Sequence, residues 1–93
     1  GKVRIVRING VKVDFSGEYN ALIVVQQDKP GVVAHITNIL SEHSVNIAFM
    51  RLFREAKGHT AYTIVESDER LPEGVSELLR QNPNITDVMV VQP

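Results

Sequence analysis

Two short runs open the chain with β-branched residues alternating against polar ones, Val3 to Ile8 and Val11 to Phe15, with Asn9-Gly10 between them. A period of two marks a strand with one wet face, and Asn-Gly provides two residues that tolerate the positive φ of a type I′ turn. The pattern predicts a β-hairpin. Two strands alone are marginal in water, so Val3, Ile5, Val11 and Phe15 are expected to pack against something else. Ser16-Gly17-Glu18 then breaks the alternation.

Ala21 to Val25 is apolar without interruption, which predicts a strand covered on both faces, and Asp28-Lys29-Pro30-Gly31 stops it. Beyond the turn the apolar period lengthens. Val32, Ile36, Ile39, Leu40 and His43 fall on one helical stripe, with Asn38, Ser41 and Glu42 away from it, and the helix is expected to end near Ser44. Val45 to Glu55 and Thr60 to Ser67 read as two antiparallel strands about a Lys57-Gly58 turn. Pro72 suits the first turn of a second helix, which buries Val75, Leu78 and Leu79 and stops at Asn82-Pro83. Ile85 to Val91 supplies the last strand.

After the hairpin the order is therefore β-α-β-β-α-β. This is the ferredoxin-like, split-βαβ arrangement, an α+β fold in which an antiparallel four-stranded sheet carries both helices on one face. It divides the chain into a hairpin and linker over residues 1–18, derived from an upstream domain, and a main domain over 19–93. The other sheet face needs cover. In the second strand of the main domain, Ile47, Phe49 and Phe53 alternate with Ala48, Met50 and Leu52, so both faces are apolar. Another sheet, the hairpin or a second copy should cover what the helices do not, and a homodimer is expected.

Composition narrows the functional classes. In 93 residues with 43% hydrophobic content, one small core is the natural outcome. Ten basic and eleven acidic residues, interspersed to a net charge of −1, create no field that would hold a polyanion, so nucleic acid is not expected as a partner. The strand Thr60 to Glu66, with one aromatic and an acidic end, also lacks an RNA-stacking platform. With no cysteine there is no disulfide framework, thiolate metal site or cysteine nucleophile, which fits a cytoplasmic protein. No apolar run approaches the length of a membrane span, and no signal core follows a basic start. A start at Gly1, directly inside a strand pattern, reads as a piece of a longer chain.

Neither a catalytic residue nor a metal site is expected. His35, His43 and His59 lack the i, i+4 spacing of a helical zinc pair and read as surface or helix-end residues. Ser16, Ser41, Ser44, Ser67 and Ser76 have no nucleophile-elbow context, and Asp68-Glu69-Arg70 reads as a solvated loop before a helix. The turn from Gln26 to Val33 is more specific. There a strand leads through Pro-Gly straight into a helix, so free amides from Gly31 to Ala34 sit at the positive end of a helix dipole. They could hold the carboxylate of a small amino acid, with Asp28 available for its ammonium group. Taken alone, the residues favour the plainer reading, an ordinary turn with Asp28 as a cap.

Asp28-Lys29-Pro30-Gly31-Val32, then a helix, then Val45-Asn46-Ile47-Ala48 resembles the ACT domain from about Tyr19 to Val91. ACT domains pair their sheets or helices and bind small effectors, often amino acids, beside that Pro-Gly turn. The resemblance implies an effector site of Asp28, Lys29, Pro30, Gly31, Val32, Val33, Asn46 and Ile47, gathered at one corner of the fold, with Asn46 as a side-chain contact. Asn46 equally reads as a turn residue between helix and strand.

The N-terminal half narrows the likeness. Val6-Arg7-Ile8-Asn9-Gly10, Val13-Asp14-Phe15, Gly17-Glu18-Tyr19, Asn46-Ile47-Ala48, Met50 and Lys57-Gly58 look like the C-terminal region of the β chain of bacterial iron–sulfur L-serine dehydratase. That family deaminates L-serine to pyruvate and ammonia with a [4Fe–4S] cluster held by its catalytic α portion. The resemblance implies a catalytic α chain or domain as partner, L-serine as a possible effector, and no cofactor in this fragment. D-3-phosphoglycerate dehydrogenase, feedback-inhibited by serine through a C-terminal ACT region, is the alternative parent. Its serine-binding members typically place His and Asn before the basic-Pro-Gly triplet, where this chain has Gln26 and Asp28. A purely structural dimerisation module is the alternative of another class.

Overall fold

The computed structural model describes residues 3–8, 10–15, 19–55 and 59–92. Six strands and two helices follow in the order β1 (Arg4–Ile8), β2 (Val11–Phe15), β3 (Asn20–Gln27), α1 (Val32–Glu42), β4 (Ile47–Arg54), β5 (Thr60–Ser67), α2 (Val75–Arg80) and β6 (Ile85–Val91). β1 and β2 pair antiparallel as a separate ribbon, while the other strands form an antiparallel sheet in the order β4-β5-β3-β6. The expected ferredoxin-like fold is therefore present behind its hairpin. Gly10 takes the positive φ of 79° that the tight turn needs, whereas Asn9, Ser16-Gly17-Glu18 and Lys57-Gly58 lie outside the described residues.

The unbroken apolar run of β3 serves two cores. Leu22 and Val24 face the helices and pack with Val32, Ile36, Ile39 and Leu40 of α1, Val75 and Leu79 of α2, and Val65, Ile85 and Val88. Ala21, Ile23 and Val25 face the other way, into a second core with Tyr62, Ile64, Ile8 and Val13. At about 1.5–3 kcal/mol for each large apolar side chain removed from water, both layers matter to stability. β3 also runs past its apolar core to Gln27, because Gln26 is buried as a hydrogen-bond acceptor for Thr63 Oγ1 at 2.7 Å.

The hairpin covers the sheet face that the helices leave bare, but two of the residues expected to pack there do not. Val3 and Ile5 are 66% and 53% exposed. Alternation puts Val6 and Ile8 on the opposite face, where Val6 pairs with Val13 and both join Ile8 against the sheet. The side chains of Val11 and Phe15 lie outside what is described.

Two further expectations are corrected. A register shift between Ile47 and Phe49 makes Ala48 an extra residue, so Ile47 turns to the helix-side core while Phe53 faces the hairpin side, and the two do not share a face. Pro72 lies ahead of α2, not in its first turn; its carbonyl accepts the N–H of Val75 at 3.2 Å, and Gly74 is the N-cap.

Candidate effector site

α1 begins and ends in left-handed residues. Gly31, at φ 87°, is its N-cap, a conformation costly for any residue with a Cβ, and no side chain caps the helix there. The capping role expected of Asp28 is thus not taken up. At the other end His43 closes the helix, with its Nδ1–H donating to Ile39 O at 2.8 Å, and Ser44 follows at φ 59°. The N–H groups of Ser44 and Val45 return to Ser41 O and Leu40 O at 3.0 and 2.9 Å, a Schellman closure with serine where glycine is usual. This sharp stop turns the chain into Asn46 and the start of β4.

The turn and Asn46 consequently lie at opposite ends of α1, about 16 Å apart at 1.5 Å per residue for its eleven residues. They do not meet at one corner of a single chain. Each borders its own open depression. Thr37, Ser41, Ser44, Val45, Asn46 and Ile47 line one of about 460 Å³. Asp28, Lys29, Pro30, Gly31, Val33, Leu52 and Arg54 line the other, of about 400 Å³. Val32 is fully buried among the helix-side core residues, so its side chain reaches neither.

Asp28 is not an open carboxylate. Arg54 Nε lies 2.7 Å from its Oδ2, which removes the free anion expected for an ammonium group and adds a cation beside the amides at the head of α1. Arg54, and the hydroxyls of Thr37, Ser41 and Ser44, escaped sequence reasoning. Arg54 sits 26 positions from its partner, and the hydroxyls become neighbours of Asn46 only once α1 has closed. Glu69, read as part of a solvated loop, accepts the Asn46 N–H on Oε1 at 2.6 Å.

The two depressions are joined by one strand. β4 is an edge of the sheet, and Phe49, Met50 and Leu52 along it are 55%, 44% and 44% exposed. Phe49 approaches Tyr19 edge-to-face, with ring centroids 5.6 Å apart. An edge strand with apolar residues on both faces is a ready template for another strand.

Among the described residues no group of three or more acidic, histidine or cysteine side chains could hold a metal. No described helix is long and apolar enough to cross a membrane.

Residues 20–84 match the ACT domain family. The chain belongs to that family. This ACT domain is 33% identical over 88 residues to a probable L-serine dehydratase β chain of Bacillus subtilis, covering 95% of the chain and 40% of that relative. It is 31% identical to the D-3-phosphoglycerate dehydrogenase of Methanocaldococcus jannaschii, over 94% of the chain and 17% of the relative. The D-3-phosphoglycerate dehydrogenase of Bacillus subtilis is 32% identical over 95% of the chain and 17% of its own length. The ACT domain therefore spans less than half the length of these curated relatives, and the likeness includes the hairpin as well as the sheet.

Proposed function

We propose that this ACT domain is the regulatory and assembly region of an L-serine dehydratase, working with a catalytic α chain or domain that carries the iron–sulfur cluster. Two copies join along β4, and L-serine or another small amino acid binds at the junction. The observation behind this reading is the division of the family's effector residues between the two ends of an exposed, apolar edge strand. Antiparallel pairing of β4 with the β4 of a second copy would bring the Asn46 end of one chain beside the Asp28-to-Gly31 end of the other. A pocket incomplete in one chain would then be completed twice. Ligand carboxylate would meet the amides at the head of α1 and Arg54, and a ligand hydroxyl would meet the Ser41, Ser44 and Asn46 side of the partner.

Because the hairpin already occupies the sheet face opposite the helices, lateral pairing is favoured over face-to-face stacking. The dehydratase relative is placed ahead of the dehydrogenase because Gln26 and Asp28 replace the His and Asn of typical serine-binding dehydrogenases.

The experiment is an amide-resolved NMR titration with L-serine, D-serine, glycine and L-alanine at fixed protein concentration, paired with sedimentation analysis. Stereoselective, saturable shifts at Gly31 to Ala34 and at Ser44 to Ile47, lost in Asn46→Ala, support the effector role. A dimer that ignores all four amino acids at tens of millimolar leaves the structural dimerisation module as the better account.

A further inference from the structure

Resting on the effector reading above, we infer that Glu69 is a positioning residue of the site: it sets the direction of Asn46 without touching the ligand. Asn46 stands between two regular elements. It comes two residues after the left-handed Ser44 that follows the His43 cap of α1 and directly precedes Ile47, the first residue of β4, so neither a helix nor the β4–β5 ladder fixes its N–H. One residue later the ladder is interrupted by the extra Ala48. A side chain that must point into the depression is thus carried by backbone with little regular support. The Glu69 carboxylate supplies it, accepting the Asn46 N–H at 2.6 Å, a short charge-assisted bond across 23 residues.

Glu69 is itself held from beneath. Its carbonyl oxygen accepts Asn20 Nδ2–H at 2.7 Å and Ser67 Oγ–H at 2.8 Å. Asn20 and Ser67 are both buried, and the same Asn20 amide reaches Ser67 O and Asp68 O at 3.4 Å each. The 67–69 bend is therefore wrapped around one buried amide, and its outermost side chain is presented to Asn46 from a fixed backbone. Among the described residues Glu69 forms no ion pair with a cation that would draw it elsewhere. The buried amide thus fixes the backbone from which the Glu69 carboxylate reaches Asn46.

The test compares wild type with Glu69→Ala, Glu69→Gln and Asn46→Ala in the L-serine titration, alongside amide hydrogen exchange. Glu69→Ala is expected to weaken L-serine about five- to tenfold, the worth of one hydrogen bond, and to speed exchange at Asn46 while Leu40 and Ile64 keep their protection. Glu69→Gln keeps an acceptor oxygen and should recover most of both losses. Wild-type affinity in Glu69→Ala, or a glutamine variant as weak as the alanine one, would overturn the positioning role. An Asn46→Ala variant that binds as wild type, or a wild type that does not bind, would instead overturn the effector reading on which it rests.

Discussion

Arg54 Nε and Asp28 Oδ2 meet at 2.7 Å, tying the last residue of β4 to the turn that opens α1. The pair is exposed to water, more at Arg54 than at Asp28, so its contribution to stability should be small, about 0.2–1 kcal/mol and reduced by salt. Arg54→Ala is expected to move the urea midpoint only slightly. Its effect on an anionic ligand should be larger, because it takes a cation from the head of α1 and leaves Asp28 unneutralised there. Denaturation at low and high salt, with an L-serine titration, separates the two effects.

Ser44→Gly should raise stability by about 0.5–1 kcal/mol, since φ 59° costs serine what it does not cost glycine, offset in part by the extra freedom of unfolded glycine. The same change deletes a hydroxyl from the depression beside Asn46, so ligand affinity should fall as the melting temperature rises. Calorimetric melting and binding measured on one sample would show whether the two move in opposite directions.

The two faces of the hairpin give a matched pair. Ile8→Ala, in the core beneath the sheet, should cost about 2–4 kcal/mol, whereas Ile5→Ala on the outer face should stay within about 0.5 kcal/mol. Equal losses from the two variants would mean that the outer face is covered in solution. Guanidinium unfolding curves decide between these outcomes.

Most of the fold was legible because period and punctuation agreed. β5 and β6 fall on the expected residues, and Val32, Ile36, Ile39 and Leu40 of the α1 stripe face the core, while His43, the last residue expected on it, is exposed at the C-cap. The inward side of the hairpin was not legible: both faces of β1 carry β-branched residues, and only the partner surface, Ile23 with Tyr62 and Ile64, selects between them. Ala48 was equally invisible, since a bulge changes parity without changing composition. At the candidate site, Asp28, Gly31 and Asn46 could be named from the turn motif and the resemblance. Their separation by the length of α1 could not, nor could the contacts of Asp28 with Arg54 and Asn46 with Glu69, which join positions remote in sequence.

Leu52→Lys should act first on assembly, although Leu52 also lines the depression beside Asp28. Leu52 is 44% exposed on the edge strand, so a lysine there can reach water in a single chain, while two-fold pairing along β4 would bury or crowd the charge. Sedimentation should show the dimer dissociation constant rising about tenfold or more, with an unchanged far-UV spectrum. A dimer indifferent to this change would place the seam elsewhere.

Tyr62 should be the most sensitive aromatic position. Its ring is fully buried and stacked on Phe53 at 5.0 Å, and its hydroxyl donates to Glu55 Oε1 at 2.6 Å. Tyr62→Phe should cost about 0.5–1.5 kcal/mol and Tyr62→Ala about 3–5 kcal/mol, read from equilibrium unfolding.

β3 is made early and satisfied late. Its neighbours are β5 and β6, and Ala21 pairs with Val91, 70 positions further on. At about 5–20 residues per second, a growing chain would hold Ala21 to Val25 without either neighbour for several seconds. During that interval the hairpin, whose pairings are all local and which is made first, is already able to lie against the stretch, on the face that α1 does not cover. A covering layer in the finished protein would thus also serve as a shield during synthesis, keeping half of the stickiest segment from other nascent chains.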